Sequence, residues 1–313
     1  MGSGEHSAFR DLPALYRRLL PELETLPVIE ERRADCMSCP MVAAGTFAAE
    51  SRCCTYHPAM ANFLVGRALE RGGAGAARVR ERLRDLDGVS AWGIYPRRDE
   101  HRRYVATREV AFGNDSSMRC PYWVGGAESC GVWLDRPSAC RTWFCKHEGG
   151  APGALLWQAV EAAIWQVENR LAFHLGKDPR APVSADADAG AFEAWFRACA
   201  ARLDAIDPGE LAHQTITAAR TELRARAVRA TRPMPEVLVP SVGEVRDHPT
   251  DRPRLLVIGY SSFDPAVAPP GLYEALARMD GATSWRAAIA GTALTEADVR
   301  ELFRAGALAA PSL

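Results

Sequence analysis

The segment CPYWVGGAESCGVWLDRPSACRTWFC, residues 120–145, contains four of the nine cysteines of this chain within 26 residues. These cysteines are Cys120, Cys130, Cys140 and Cys145. Three glycines and Pro137 interrupt any regular element across the segment, and aromatic residues stand between the cysteines. The pattern predicts a ligand-bearing loop rather than a helix or a central strand.

A second group of cysteines lies earlier and consists of Cys36, Cys39, Cys53 and Cys54. The first two form a C-x-x-C pair, whose tight turn can direct two sulfurs to one centre. Cys53 and Cys54 follow after thirteen intervening residues. Adjacent cysteines can both bind a metal only where the backbone is irregular, and the alternative is that one of them packs as a small buried hydrophobe.

The composition is that of a globular chain, with 313 residues of which 48% are hydrophobic. This length predicts two domains, or one domain with an appended module. The formal net charge is only -1, which gives no overall attraction to nucleic acid or acidic membranes. Arginine-rich stretches carry little weight here, because all but two of the 38 basic residues are arginine.

The N-terminal stretch MGSGEHSAFRDLPALYRRLL has no uninterrupted apolar segment, so we expect no secretory signal. No run of the chain approaches the roughly 18 to 20 apolar residues that a membrane span needs. We therefore expect a cytoplasmic protein with no membrane partner. Cytosolic thiols stay reduced, which favours metal binding over disulfides.

The cysteines leave several arrangements open. A thiolate must lose its proton and lie near others of its kind, which is costly unless a cation neutralises the group. Eight cysteines can form two four-ligand sites, or one site with spare thiols. A zinc ribbon usually pairs two C-x-x-C turns, whereas this chain has one, and its later cysteines are separated by nine, nine and four residues. This spacing suits a cluster wrapped by loops but does not decide the metal. We expect an iron–sulfur cluster rather than zinc, with disulfides or free thiols as a third alternative.

The order of these motifs resembles the YkgJ-like cysteine-cluster proteins, a zinc- or iron-chelating family to which flagellin lysine-N-methylase is related. The matching positions are Cys36-x-x-Cys39, Cys53-Cys54, Cys120-Pro-Tyr, Cys130-Gly-Val-Trp, Arg136-Pro137, Cys140-Arg141 and Phe144-Cys145. The resemblance covers about residues 34–150 and implies that these eight cysteines are the metal ligands. In the family, the Cys-Cys pair usually follows the C-x-x-C after only a few residues, so this chain departs from the pattern there.

Other residues near the cysteines have candidate roles. His57 and His147 each lie two or three residues from a cysteine and are candidates to replace a ligand. Arg136 and Arg141 are expected to cap a turn or to hydrogen-bond to sulfur, the first role being preferred. Cys199 lies beside Trp195 and Phe196 on a predicted helix, which favours a core position over a ninth ligand.

The remaining periodicity predicts an α+β fold that is mostly helical. We expect a loop-rich cysteine-cluster metal-binding domain over 1–178, a helical segment packing on it over 179–232, a proline-rich linker over 233–253, and a small winged-helix-like module over 254–313. Between Ser90 and Ser117 the sequence AWGIYPRRDEHRRYVATREVAFG predicts short strands, with the polar RRDEH at the tip of a hairpin.

The C-terminal module, residues 254–313, resembles winged-helix modules of the PqqD-like, peptide-recognising sort. It contains a predicted hairpin and three short helices, the last opened by Thr295 as N-cap. That helix carries acidic residues at its N-terminal end. This charge favours a protein or peptide partner, or docking within the chain, over nucleic acid.

Two functional hypotheses follow. The first is a metal-cluster protein, with iron–sulfur favoured over zinc, that serves redox chemistry, metal handling or a protein-modification reaction. The second is a zinc-stabilised scaffold whose C-terminal module binds a peptide or protein partner. Dinucleotide-binding, phosphate-loop, G-x-S-x-G and H-E-x-x-H motifs are absent from the sequence, so enzymatic activity is left open.

Overall fold

The computed structural model describes residues 9, 11–26, 31, 38–125, 129–183, 187–241, 244–247 and 255–311, with only the backbone described for 244–247, 255 and 256. Helices dominate, and the strands are short and antiparallel. The predicted fold class, mostly helical α+β, is confirmed.

The elements are as follows in chain order. The first part contains α1 (Ala14–Leu19), α2 (Glu22–Thr25), α3 (Pro40–Ala43), β1 (Met60–Ala61), α4 (Asn62–Arg71), α5 (Gly73–Leu83), β2 (Val89–Ser90), β3 (Gly93–Ile94), α6 (Arg98–Ala111), β4 (Trp123–Val124), β5 (Ser129–Cys130) and α7 (Ser138–Arg141). Then come α8 (Gly150–Gly176), α9 (Ala189–Arg202) and α10 (Gln214–Ala230). The last part contains β6 (Val239–Pro240), β7 (Glu244–Asp247), β8 (Leu255–Ile258), β9 (Ala266–Val267), α11 (Leu272–Arg278), α12 (Trp285–Ile289), α13 (Glu296–Arg304) and β10 (Leu308–Ala309).

The described residues form two compact units. Unit 1 comprises those within 1–26, 33–143 and 159–223, and unit 2 those within 27–32, 144–158 and 224–313. The division therefore falls within α8 and within α10.

Unit 1 has a helical core in which α4 packs along α9. The two helices approach closely at Gly66, since a Cβ there would lie only 1.9 Å from the carbonyl oxygen of Phe196. Apolar residues of α8 at helical spacing, among them Ile164, Val167 and Leu171, are fully buried. Cys199 is also fully buried, which confirms its predicted core position.

Unit 2 contains the C-terminal module, whose three predicted helices are present as α11, α12 and α13. Trp285, Val299 and Leu302 lie at the centre of its apolar core. Strand β8 pairs with β7 and β9, and β6 pairs with β10. Thr295 caps α13 by accepting a hydrogen bond from the backbone N–H of Asp298, as predicted.

The hairpin predicted around RRDEH is wrong, because these residues begin the fourteen-residue helix α6. The Glu100 side chain accepts a hydrogen bond from the backbone N–H of Arg97 at 2.8 Å and so satisfies an unpaired donor at the helix start. Helix α6 buries none of its residues, so it lacks the apolar stripe that would have marked it in the sequence. The hairpin present nearby is β2–β3, which ends before Pro96.

The range predicted as a proline-rich linker, 233–253, contains strands β6 and β7. Leu238 within this range is fully buried in the core of unit 2. Proline is tolerated in β6 because Pro240 lies in a two-stranded sheet, where a strand needs only one ladder of hydrogen bonds. The predicted domain boundaries themselves stay a prediction.

Across the described parts of the chain, every helix is too short or too polar to cross a bilayer.

Candidate metal centre

Cys53 and Cys54 lie in an irregular turn between α3 and β1. Arg52, just before them, has a φ of 51°, in the left-handed region that non-glycine residues rarely adopt. The Sγ–H of Cys54 donates a hydrogen bond to Sγ of Cys53. The backbone at Cys53 and Cys54 is therefore irregular, which is the condition for two adjacent cysteines to bind the same metal.

Cys120 is tied directly to this turn, since its backbone N–H donates to the carbonyl oxygen of Cys54 at 2.7 Å. Cys130 lies on β5, opposite Trp123 of β4. The hairpin formed by β4 and β5 packs against the start of α5, because a Cβ at Gly75 would lie 2.1 Å from the carbonyl oxygen of Gly131. Two segments distant in sequence from the Cys53–Cys54 turn therefore bring their thiols to it.

Cys140 lies on the four-residue helix α7. The buried carboxylate of Glu168 accepts the backbone N–H of Ser138 at 3.0 and 3.1 Å and so caps this helix. The guanidinium of Arg141 donates to the carbonyl oxygen of Leu134 at 2.9 Å. This contact confirms the preferred expectation that Arg141 caps a turn.

The pKa values of the thiols show that these segments act on one another. The hydrogen bond from Cys54 lowers the pKa of Cys53, and burial opposes this effect. The pKa of Cys54 is strongly raised by the same hydrogen bond and by burial, with further contributions from Cys120 and Cys130.

The pKa values of Cys120, Cys130 and Cys140 are also raised, in each case mainly by burial. Burial raises the pKa of Cys120 to about 12, with Cys130 and Cys53 adding to the shift. Burial also raises the pKa of Cys130 and, more strongly, that of Cys140, whose thiol senses charge on Cys120 and Cys130. Five thiols thus lie within electrostatic range of one another. We call residues 51–57 and 118–141, which carry them, the cysteine region.

Two guanidinium groups lie beside these thiols. Arg136 and Arg52 both lower the pKa of Cys53, and Arg136 also acts on Cys130 and Cys140. Each packs against an indole, Arg136 at 3.5 Å from the ring centre of Trp133 and Arg52 at 5.4 Å from that of Trp123. Their positive charge favours the thiolate, but burial outweighs it at Cys130 and Cys140, whose pKa values are raised.

The aromatic residues between the cysteines differ in exposure. Trp123 is buried, whereas the Trp143 side chain is 43% exposed and packs edge-on against Phe112. Two tyrosines also lie near the thiols. The pKa of Tyr122 is raised first by burial and then by Cys120, and the pKa of Tyr56 is raised to about 12 by burial and by Cys140.

Three of the eight predicted ligands are not among the five cysteines of the cysteine region. Cys36 lies outside the described residues. Cys39 is the N-cap residue of α3 and is partly exposed. Cys145 belongs to unit 2. Their roles as ligands stay predictions.

The two histidines make contacts that do not involve sulfur. His57 Nε2 lies 3.0 Å from the carbonyl oxygen of Met118 and 2.9 Å from that of Arg119. In unit 2, His147 Nδ1 lies 3.1 Å from Oε1 of the buried Glu31. Neither Glu31 nor Glu168 could be recognised in the sequence as a buried residue, because carboxylates are usually exposed.

The five thiols fit a thiolate-bound metal in type and number, and the adjacent guanidinium groups fit the negative charge of such a centre. Within the part of the chain that the structure describes, no three Cys, His, Asp or Glu side chains converge closely enough to hold an ion as they stand. Metal binding would therefore require the thiols of the cysteine region to draw closer together.

No family model, curated protein or solved structure matches this chain.

Proposed function

We propose that this protein binds an iron–sulfur cluster through cysteine thiols and serves redox chemistry, metal handling or a protein-modification reaction. The observation that carries the proposal is the mutual influence of five partly buried thiols from four separate segments. They are Cys53, Cys54, Cys120, Cys130 and Cys140.

Packing alone does not account for this set. A neutral thiol packs as a small apolar group, as Cys199 does in the core of unit 1. The thiols of the cysteine region instead act on one another, and Arg52 and Arg136 also act on Cys53. A nearby positive charge stabilises a thiolate, which is the form that binds metal.

Several features support iron–sulfur over zinc. The five cysteines lie on turns, a two-residue strand and a four-residue helix rather than on a pair of C-x-x-C turns. The rings of Tyr122 and Trp123 are buried, and burial is one of the factors that set the potential of a cluster. A bound cluster would supply one-electron chemistry, while the residues of this chain would supply thiolate ligands, compensating charge and aromatic surroundings.

We also propose that the chain is related to the YkgJ-like proteins, which the order of its cysteine motifs supports. A protein or peptide partner of the C-terminal module is a further part of the proposal. A cytoplasmic location remains an expectation from the sequence.

The test is anaerobic purification followed by elemental analysis and a visible absorption spectrum. We expect bound iron and acid-labile sulfide, with the broad visible absorption of an iron–sulfur cluster. Cys140→Ser should lose the absorption, since it removes a thiol on which Cys120, Cys130 and Cys53 all act. Cys199→Ala, which removes a thiol of the apolar core, is the matched control and should keep the metal content of the wild type.

Two results would overturn the proposal in different ways. A colourless protein with stoichiometric zinc would replace the cluster by a structural zinc site. An unchanged metal content in Cys140→Ser would remove Cys140 from the ligand set.

A further inference from the structure

We propose that His57, held by Glu100, is a positioning residue that fixes the spacing between the Cys53–Cys54 turn and Cys120 before a metal binds. The inference rests on the proposed function, because it concerns the same thiols. It assigns to His57 a role that differs from the one the sequence suggests, where it is a candidate ligand.

His57 joins two segments that each carry a candidate ligand. It follows Cys54 by three positions, and its Nε2 lies within 3.0 Å of the carbonyl oxygens of both Met118 and Arg119, which immediately precede Cys120. Carbonyl oxygens only accept hydrogen bonds, so Nε2 carries the proton. This side-chain contact adds to the backbone hydrogen bond from Cys120 N–H to the Cys54 carbonyl oxygen.

The second ring nitrogen is also engaged. His57 Nδ1 lies 3.2 Å from Oε2 of Glu100, at ion-pair distance. The Nδ1 atom thus lies beside a carboxylate, and only 15% of the His57 side chain is exposed.

Glu100 is itself held in place. Its Oε2 accepts the backbone N–H of Arg97 at 2.8 Å, and it lies 4.0 Å from the guanidinium of Arg82. Burial raises the pKa of Glu100, but the Arg97 hydrogen bond and His57 outweigh it, so that the net pKa is lowered and the carboxylate stays charged. The ring of Tyr104, also on α6, packs 5.2 Å from that of Tyr56, next to His57.

Helix α6 contributes to this site although it buries none of its residues. It carries Glu100 to the imidazole and closes one side of a cavity of about 200 Å³ lined by His57, Glu100, Tyr104 and Met118. Residues outside the ligand set that orient the ligands typically change metal affinity by about 10-fold or more when they are lost. Here the histidine positions the ligands instead of binding the metal.

The experiment compares His57→Gln with His57→Phe. The glutamine amide can place an N–H near the position of Nε2 and so keeps a donor for the two carbonyl oxygens, whereas phenylalanine fills the volume without a donor. Two quantities are measured for each variant: the rate at which a chelator removes the metal, and the hydrogen-exchange rate of the amides around Cys120 in metal-free protein. Glu100→Gln, which keeps the shape and removes the charge, is the third variant.

We expect His57→Phe to lose metal about 10-fold faster and to exchange faster around Cys120, while His57→Gln stays close to the wild type. Glu100→Gln should lie between them. The absorption spectrum of the metal-bound form should keep its shape in all three, because no ligand is removed.

Equal behaviour of the phenylalanine and glutamine variants in both measurements would overturn the proposal. A nitrogen ligand seen by X-ray absorption in the wild type, and lost in both His57 variants, would overturn it by making His57 a ligand. If the wild type binds no metal, the proposed function fails, and the exchange rates around Cys120 still decide whether His57 ties the two segments together.

Discussion

In the C-terminal module, buried side chains such as Trp285, Val299 and Leu302 form a continuous apolar core beneath three helices. The cysteine region has two-residue strands, a four-residue helix and turns, and its segments are joined by individual polar contacts. These contacts are the Cys120 to Cys54 hydrogen bond, the His57 contacts and the Glu168 cap. Apolar burial stabilises the first region without any ligand, whereas the second concentrates thiols whose deprotonation is costly unless a cation neutralises the group.

This contrast separates two kinds of variant. A cavity in the module should cost folding free energy and leave metal binding intact. A change in the cysteine region should alter metal binding or its pH dependence. The four predictions below test that separation, from the largest expected effect to the smallest.

Trp285→Ala should give the largest loss. The indole is almost fully buried in the core of the module, and truncating such a side chain costs about 3–5 kcal/mol of unfolding free energy. Denaturant unfolding, with hydrogen exchange to localise the loss, measures it. Tyr273→Ala, at a side chain 62% exposed, is the control and should change little. If Trp285→Ala lowered the metal content as well as the stability of the module, the two regions would not be independent.

Glu168 should make stability depend on pH. Burial raises its pKa to about 7, against the opposing effects of Ser138 and Arg141. The unfolded chain releases this proton near pH 4.3, whereas the folded chain keeps it until the pH approaches 7. Folding stability therefore falls as the pH rises through this interval, by about 3 kcal/mol, and is level above it.

Urea unfolding of wild type and Glu168→Gln at roughly pH 5 and pH 8 tests this prediction. The variant lacks the titrating carboxyl, so its stability should change less between the two values. An equal change in both proteins would mean that Glu168 does not titrate in this range.

Metal affinity should rise with pH. The pKa of Cys120 is raised to about 12 by burial and by its thiol neighbours, and that of Cys140 is raised as well. Each protonated thiol must release its proton to bind, so affinity should gain about 10-fold per pH unit for every proton released. Competition titrations with Co²⁺ at two pH values measure the slope. An affinity independent of pH would argue against these thiols as ligands.

Thr295→Ala should have the smallest effect. It removes the side-chain acceptor that caps α13, at a cost of about 1 kcal/mol. The loss should be confined to the module and leave metal release unchanged, while Thr295→Ser keeps the acceptor and should restore stability. Hydrogen exchange in the first turn of α13 gives the local measurement.

Features set by local chemistry could be predicted from the sequence. The helical stripe of α8, the Thr295 cap and the burial of Cys199 beside Trp195 follow from periodicity and capping rules. Helix α6 was missed because a helix without a buried face has no apolar period to detect. Strands β6 and β7 were missed because prolines near them indicate a linker, and their pairing partners are distant in the sequence.

The sequence by itself determined which residues have the chemistry of metal ligands, because thiols in two compact groups are recognisable whatever the fold. Only the tertiary structure decided which of them lie in one region. It placed Cys53, Cys54, Cys120, Cys130 and Cys140 within electrostatic range of one another and placed His57 between the carbonyl oxygen of Met118 and the carboxylate of Glu100. The physical reason is that hydrogen bonds and charge act through space, between groups whose separation along the chain says nothing about their distance in the folded protein.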